Sequence, residues 1–320
     1  MGEKGYFENL FSEEKDYLRL VYFDICVLER YFEDPKYLVF YHDYRGSIVI
    51  DDDYVQDDSE PIEYLKDFGL AYHKKDDYDR AIVVFAGDLL KLPLKMQSHF
   101  YSYYLKNQKD YCPNSGFVKN LIYGEWVENI SIYQALTLEL HYINEMCSAL
   151  KLPKMFLKEY PSDARLQNER PDNFHTLLLP TTKKYYDFII TLEKIITGNI
   201  NVKTFITAAP TIRVVERKNE KRETKGSLTL LIEWFEKNTT ADVRKNIGEP
   251  LRKLVKERQT PAHKIIKNKF DKTLWKKQNE FMIEVYTAVR NIRLLLANHP
   301  KCKDVEIPDY LYDGQHISSY

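Results

Sequence analysis

Lys36-Tyr-Leu-Val-Phe-Tyr-His-Asp-Tyr-Arg-Gly-Ser-Ile-Val-Ile50 decides the fold class. Two short β-branched and aromatic runs, 36–41 and 47–50, flank a polar stretch containing Gly46, the pattern of a β-hairpin with glycine in its turn. Downstream, Ala81-Ile-Val-Val-Phe85 is a continuous apolar run bounded by Asp79-Arg80 and Gly87. It has the length and composition of a strand buried on both faces. Upstream, Leu18, Val21, Tyr22, Ile25 and Leu28 recur at helical spacing, so a helix is expected over Ser12–Arg30. The N-terminal part of the chain is therefore expected to mix α and β.

From Ile130 the period changes. Leu136, Leu140, Ile143, Cys147 and Leu150 share a helical face, and Pro153 stops the run. Polar, Pro-containing sequence at Tyr160–Pro180 reads as a linker, with Leu177-Leu-Leu179 as a docked strand or turn. Beyond it, helices are expected at Tyr185–Ile196, closed by Gly198-Asn199, and at Leu228–Phe235, ending in Lys237-Asn238. A short third helix is expected at Leu251–Val255, and a long one over Leu274–Leu296, stopped by Asn298-His-Pro300. No strand signal lies between them, which is the signature of a helical bundle. The expected fold class is α+β. A mixed α/β domain with a few strands spans 1–160, and an all-α bundle spans 175–320.

The charge changes with the fold. Across 320 residues the net charge is −1, yet residues 1–150 carry 15 Lys+Arg against 27 Asp+Glu, and residues 151–320 carry 32 against 21. An acidic half beside a basic half fits either a basic domain that meets an anion such as RNA, or two halves that attract each other. On the second footing the acidic domain is a sensor or regulatory module that holds the basic one in check. The content of 44% hydrophobic and 14% aromatic residues supports a real core. No apolar run is long enough to span a membrane, and the opening MGEKGYFENLFSEEK has no apolar signal core, so a soluble protein is expected. Cys26, Cys112, Cys147 and Cys302 form no close pair, which points to a reducing cytoplasm and against a cysteine zinc site.

The usual catalytic signatures are missing: no P-loop, GxGxxG, HExxH, GxSxG or CxxC occurs. His42, His73, His99 and His141 lack a second ligand at metal-binding spacing, and the acidic run Asp51–Asp53, Asp57, Asp58 and Glu60 lacks the glycine of a calcium loop. Neither a metal nor a cofactor is expected. Tyr101, Tyr103, Tyr104 and Tyr111 read as the rim of a core, and Trp126, Trp234 and Trp275 as packing.

One stretch carries chemistry. Leu251-Arg-Lys-Leu-Val-Lys-Glu-Arg258-Gln-Thr-Pro-Ala-His263 places an arginine and a histidine with four residues between them, within a region holding 16 Lys+Arg and 5 acids from Arg244 to Lys303. Thr260-Pro261 has the form of an N-cap followed by proline at N1, which would start a new helix with His263 at its third position. The positive end of that helix, with Arg258 beside it, would keep the imidazole neutral, as a general base requires. Two other pairs at similar spacing, Arg170 with His175 and Arg293 with His299, lack a polar residue after the arginine and a helix on each side.

The Arg258–His263 stretch resembles the Arg-x(4–6)-His signature of HEPN domains, compact helical bundles that include many metal-independent ribonucleases of toxin and antiviral systems. The residue after the arginine, most often Asn, Asp or His in that family, is Gln259 here. The resemblance implies an endoribonuclease. His263 would take the proton of an RNA 2′-hydroxyl, Arg258 would steady phosphate charge, Gln259 would complete the site, and two motifs would face each other in a homodimer. Arg252, Lys253, Lys256, Lys264 and Lys267 would form an RNA-binding rim. The alternative is a non-catalytic helical module that binds RNA or a protein partner. A third reading places a metal-dependent nuclease at Asp88, which lacks the Glu-x-Lys strand to complete it.

Overall fold

The computed structural model describes residues 5–8, 17–41, 44–54, 62–125, 130–160, 171, 173–209, 215–218, 221–263 and 265–318. The chain forms two compact units, Met1–Asn129 and Ile130–Tyr320. The division therefore falls ahead of the 160–175 region where the charge and proline content place it, and the helix expected from Ile130 onward belongs to the second unit.

The first unit is built on an antiparallel sheet. Strand β1 (Leu20–Asp24) leads through a 3-10 turn into the short helix α1 (Glu29–Glu33). Then come β2 (Tyr37–Tyr41), β3 (Arg45–Ile50), β4 (Asp67–His73) and β5 (Asp76–Phe85), followed by α2 (Ala86–Leu90), α3 (Leu94–Ser102), β6 (Tyr111–Pro113) and α4 (Ser115–Tyr123). The order is β1-β5-β4-β3-β2, with β6 also on β4. The β2–β3 hairpin pairs Tyr37 with Ile50 and Tyr41 with Gly46, as the alternating apolar runs require; its turn residues His42 and Asp43 lie outside the described residues. Gly46 stands inside β3 rather than in the turn. A Cβ there would sit 2.4 Å from the Phe68 ring, and one at Gly69 would sit 2.7 Å from Phe117, so both glycines let aromatic rings lie close on the sheet. Ala81–Val84 of β5 are buried between β1 and β4.

The expected helix over Ser12–Arg30 is overturned: Leu20–Asp24 is a strand, and residues 12–16 lie outside the described residues. Val21, Tyr22 and Phe23 are all buried, so consecutive apolar positions mimicked one helical face while both faces of a strand were covered. The outer edge of β1 is covered too. Leu105 N–H donates to Tyr22 C=O, and the Gln108 side-chain amide spans the same residue, accepting from Tyr22 N–H at 2.7 Å and donating to its C=O at 2.8 Å.

In the second unit, β7 (Ile130–Ser131) pairs in parallel with β10 (Ile317–Ser318) near the C-terminus. Between them run α5 (Ile132–Ala149), α6 (Thr182–Ile195), α7 (Val202–Ala208), the hairpin β8–β9 (Val215–Lys218 and Lys221–Thr224), α8 (Ser227–Asn238), α9 (Glu249–His263), α10 (Thr273–Ala297) and α11 (Asp309–Asp313). The β8–β9 hairpin corrects the expectation of helices alone. Its sequences, Val-Glu-Arg-Lys and Lys-Arg-Glu-Thr, contain no apolar alternation to signal it. Helix α10 packs against α5, α6 and α9, and burial of Leu274, Phe281, Val285, Val289, Ile292 and Leu296 accounts for its apolar period. Trp275 Nε1 donates to Leu177 C=O at 2.7 Å, while Gln278 accepts from Leu177 N–H and donates to His175 C=O, both at 2.8 Å. These bonds dock the segment before α6.

Candidate nucleic-acid interface

Helix α9 carries the motif, and its continuity changes the geometry of that motif. Thr260-Pro261 does not begin a new helix: α9 runs without interruption from Glu249 to His263, with Pro261 inside its last turn. Side chains hold the helix past Val255. The Tyr185 hydroxyl donates to Glu257 at 3.4 Å and Lys277 Nζ donates to it at 2.7 Å. Pro261 has no N–H to give Glu257 C=O, and the helix ends two residues later.

Two consequences follow for the expected catalytic pair. His263 stands at a helix C-terminus, the end that favours cations, so the dipole argument for a neutral imidazole is lost. Positions five apart on one helix lie about 140° apart around its axis, so Arg258 and His263 of one chain occupy different faces. The side chain of His263 and all of Lys264 lie outside the described residues.

The remaining candidates divide into two groups. Two of the cations on α9 are paired, at positions about 140° apart around the helix and with different neighbours. Lys253 is hydrogen-bonded to Glu284 and lies over the Phe281 ring, and Arg258 Nε is 3.8 Å from Glu193 Oε2. That second pair is loose, and Arg258 keeps 44% of its side chain exposed against 16% for Glu193. Away from both of these positions, Arg252, Lys256 and Gln259 follow one another at spacings of four and three, a single helical stripe. All three are exposed and have no ion-pair or side-chain hydrogen-bond partner among the described residues. Lys267, in the segment after α9, is exposed as well.

Sequence reasoning missed the most deeply buried charges. Arg293, whose spacing to His299 has the wrong neighbours for the motif, is 1% exposed, and Glu139 is 0% exposed. The Arg293 Nε donates to Glu139 Oε2, and Nη2 donates to Oε1 at 3.1 Å and to Leu311 C=O at 2.7 Å. The Tyr286 hydroxyl donates to the same carboxylate at 3.4 Å. Burial pushes the Glu139 carboxyl up, and the Arg293 guanidinium pulls it back. These groups join α5, α10 and α11 and leave no surface for a ligand. His141 is not isolated either. Its Nδ1 is 3.3 Å from Glu159, a carboxylate also held by Asn144 at 2.8 Å and Lys154 at 2.9 Å.

Among the described residues no group of three or more His, Cys, Asp or Glu is placed to hold a metal ion. Asp88 lies in the first turn of α2, 2.7 Å from Lys91 Nζ. Asp57, Asp58, Glu60 and Trp126 lie outside the described residues, whereas Trp234 and Trp275 are buried in the second unit. No described helix is long and apolar enough to cross a membrane. No family model, no curated protein and no solved structure matches the chain.

Proposed function

We propose that the helical unit binds RNA along α9. One observation carries this reading: Arg252 and Lys256 stand exposed on one stripe without a carboxylate partner among the described residues, while neighbouring Lys253 and Arg258 are paired. Unpaired cations on one rigid face release counterions when they meet a phosphate backbone, and cations already neutralised in the fold contribute less. The test is RNA binding by the full chain across a salt series. Arg252→Ala with Lys256→Ala should weaken binding and lower the slope of log K against log salt by about 0.7 for each single-strand phosphate that is no longer neutralised. A slope equal to that of the wild type ends the reading.

A second reading, metal-independent cleavage by Arg258 and His263, is favoured by the exposure of Arg258. Because one continuous helix turns the two residues apart, the reading places a reacting phosphate between two copies in a homodimer, with Arg258 from one and His263 from the other. Cleavage in excess EDTA that is lost in both Arg258→Ala and His263→Ala, and recovered when the two inactive variants are mixed, is the expected result. Cleavage that survives either substitution, or two inactive variants that do not complement, removes it.

A further inference from the structure

The segment between α9 and α10 displays apolar side chains on a fixed backbone. Thr182 N–H donates to Lys269 C=O at 2.9 Å, Asp271 N–H donates to Pro180 C=O at 2.8 Å, and Phe270 forms a β-bridge with Thr181. The Asn268 carboxamide accepts from Lys183 N–H at 3.0 Å, capping the start of α6. At its far end, Asp271 caps Thr273 through both N–H and hydroxyl. Ties at four consecutive residues fix where Phe270 sits, yet Phe270 is 58% exposed, and Ile265 is fully exposed.

Core packing does not account for a ring held in this way. The Phe270 ring has no aromatic or cationic partner among the described residues, and the side chains of Lys267 and Lys269 beside it are exposed and unpaired. An exposed ring preceded in the chain by two free cations, in the segment that leaves a helix carrying a further unpaired cationic stripe, has the composition of a single-strand site: cations follow the phosphates and the ring takes a base. Bases in a duplex are already stacked on each other and offer no free face.

We infer that Phe270 is a stacking platform for an unpaired base, and that the RNA taken by this surface is single-stranded. This inference rests on the RNA reading of α9. The fixed backbone means that no chain segment has to be ordered when the base arrives, only the ring's own rotamer.

The full chain is titrated with labelled oligouridine and with the matching oligouridine–oligoadenine duplex at one salt concentration. Phe270→Ala should weaken single-strand binding by about five- to a hundredfold, leave the salt slope and duplex binding unchanged, and leave the melting temperature at its wild-type value. Phe270→Trp should bind as well as the wild type or better. If Phe270→Ala holds oligouridine like the wild type while Arg252→Ala with Lys256→Ala does not, this inference fails and the α9 reading stands. If the wild type binds neither probe at low salt, both fail. Phe270-dependent pelleting with phosphatidylserine vesicles, without a matching effect on oligouridine, overturns the inference in favour of an anionic lipid surface.

Discussion

Arg258 and Arg293 each precede a histidine by five or six residues on a basic stretch of chain, and the fold gives them opposite fates. Arg258 is 44% exposed and loosely paired; Arg293 is 1% exposed and bound to a carboxylate, which also takes a tyrosine hydroxyl, and to a carbonyl. The difference lies in what each helix buries at that turn. Arg293 follows Ile292 on the buried face of α10, opposite Glu139 of α5, whereas Arg258 sits between Glu257 and Gln259 at the edge where α9 meets α6. An arginine charge in a basic region is therefore free for a ligand only where the local packing leaves it so.

The sharpest way to break this comparison is unfolding. Arg293→Ala leaves the Glu139 carboxylate buried and unpaired and should cost about 3–5 kcal/mol in denaturant melts. The same substitution at Arg258 removes a screened surface pair and should cost less than about 1 kcal/mol. Equal losses at the two positions would show that exposure does not separate their roles. A gentler contrast lies at Glu159. Burial pushes this carboxyl up, but hydrogen bonds from Lys154, Asn144 and His141 outweigh it and hold it below its ordinary value of 4.5. Its contribution is then present above that value and disappears as pH falls through the lower, folded one. Glu159→Gln should make the melting temperature flatter across this acidic window, and a wild-type acid limb in that variant would exclude Glu159 as its source.

Most elements were legible because apolar spacing reported burial directly. The β2–β3 hairpin, the core of β5, and helices α5, α6, α8 and α10 all carry a period that their packing uses. Three failures have separate physical causes. In β1, both faces of a strand are covered, so Val21-Tyr-Phe23 shows no alternation. In β8 and β9, the strands are short and charged. In α9, Thr260-Pro261 is a valid local start signal that loses to the side-chain network around Glu257. The candidate site was legible only as a charge density. Which cations remain free depends on partners such as Glu284 and Glu193, remote in sequence, and the Arg293–Glu139 pair spans 154 residues. Phe270 gave no signal, since a lone aromatic in a polar loop looks the same whether it packs or projects.

The Gln108 amide on the edge of β1 has a consequence for the chain's behaviour at high concentration. A bare edge strand offers its N–H and C=O groups to any extended segment and seeds the growth of sheets between molecules. Here one side chain occupies both groups of Tyr22, Leu105 shares its carbonyl, and Tyr103 C=O accepts from Asp24 N–H farther along the strand. That edge of the sheet is stopped within its own chain, and fibrous self-association through β1 would first have to displace a glutamine.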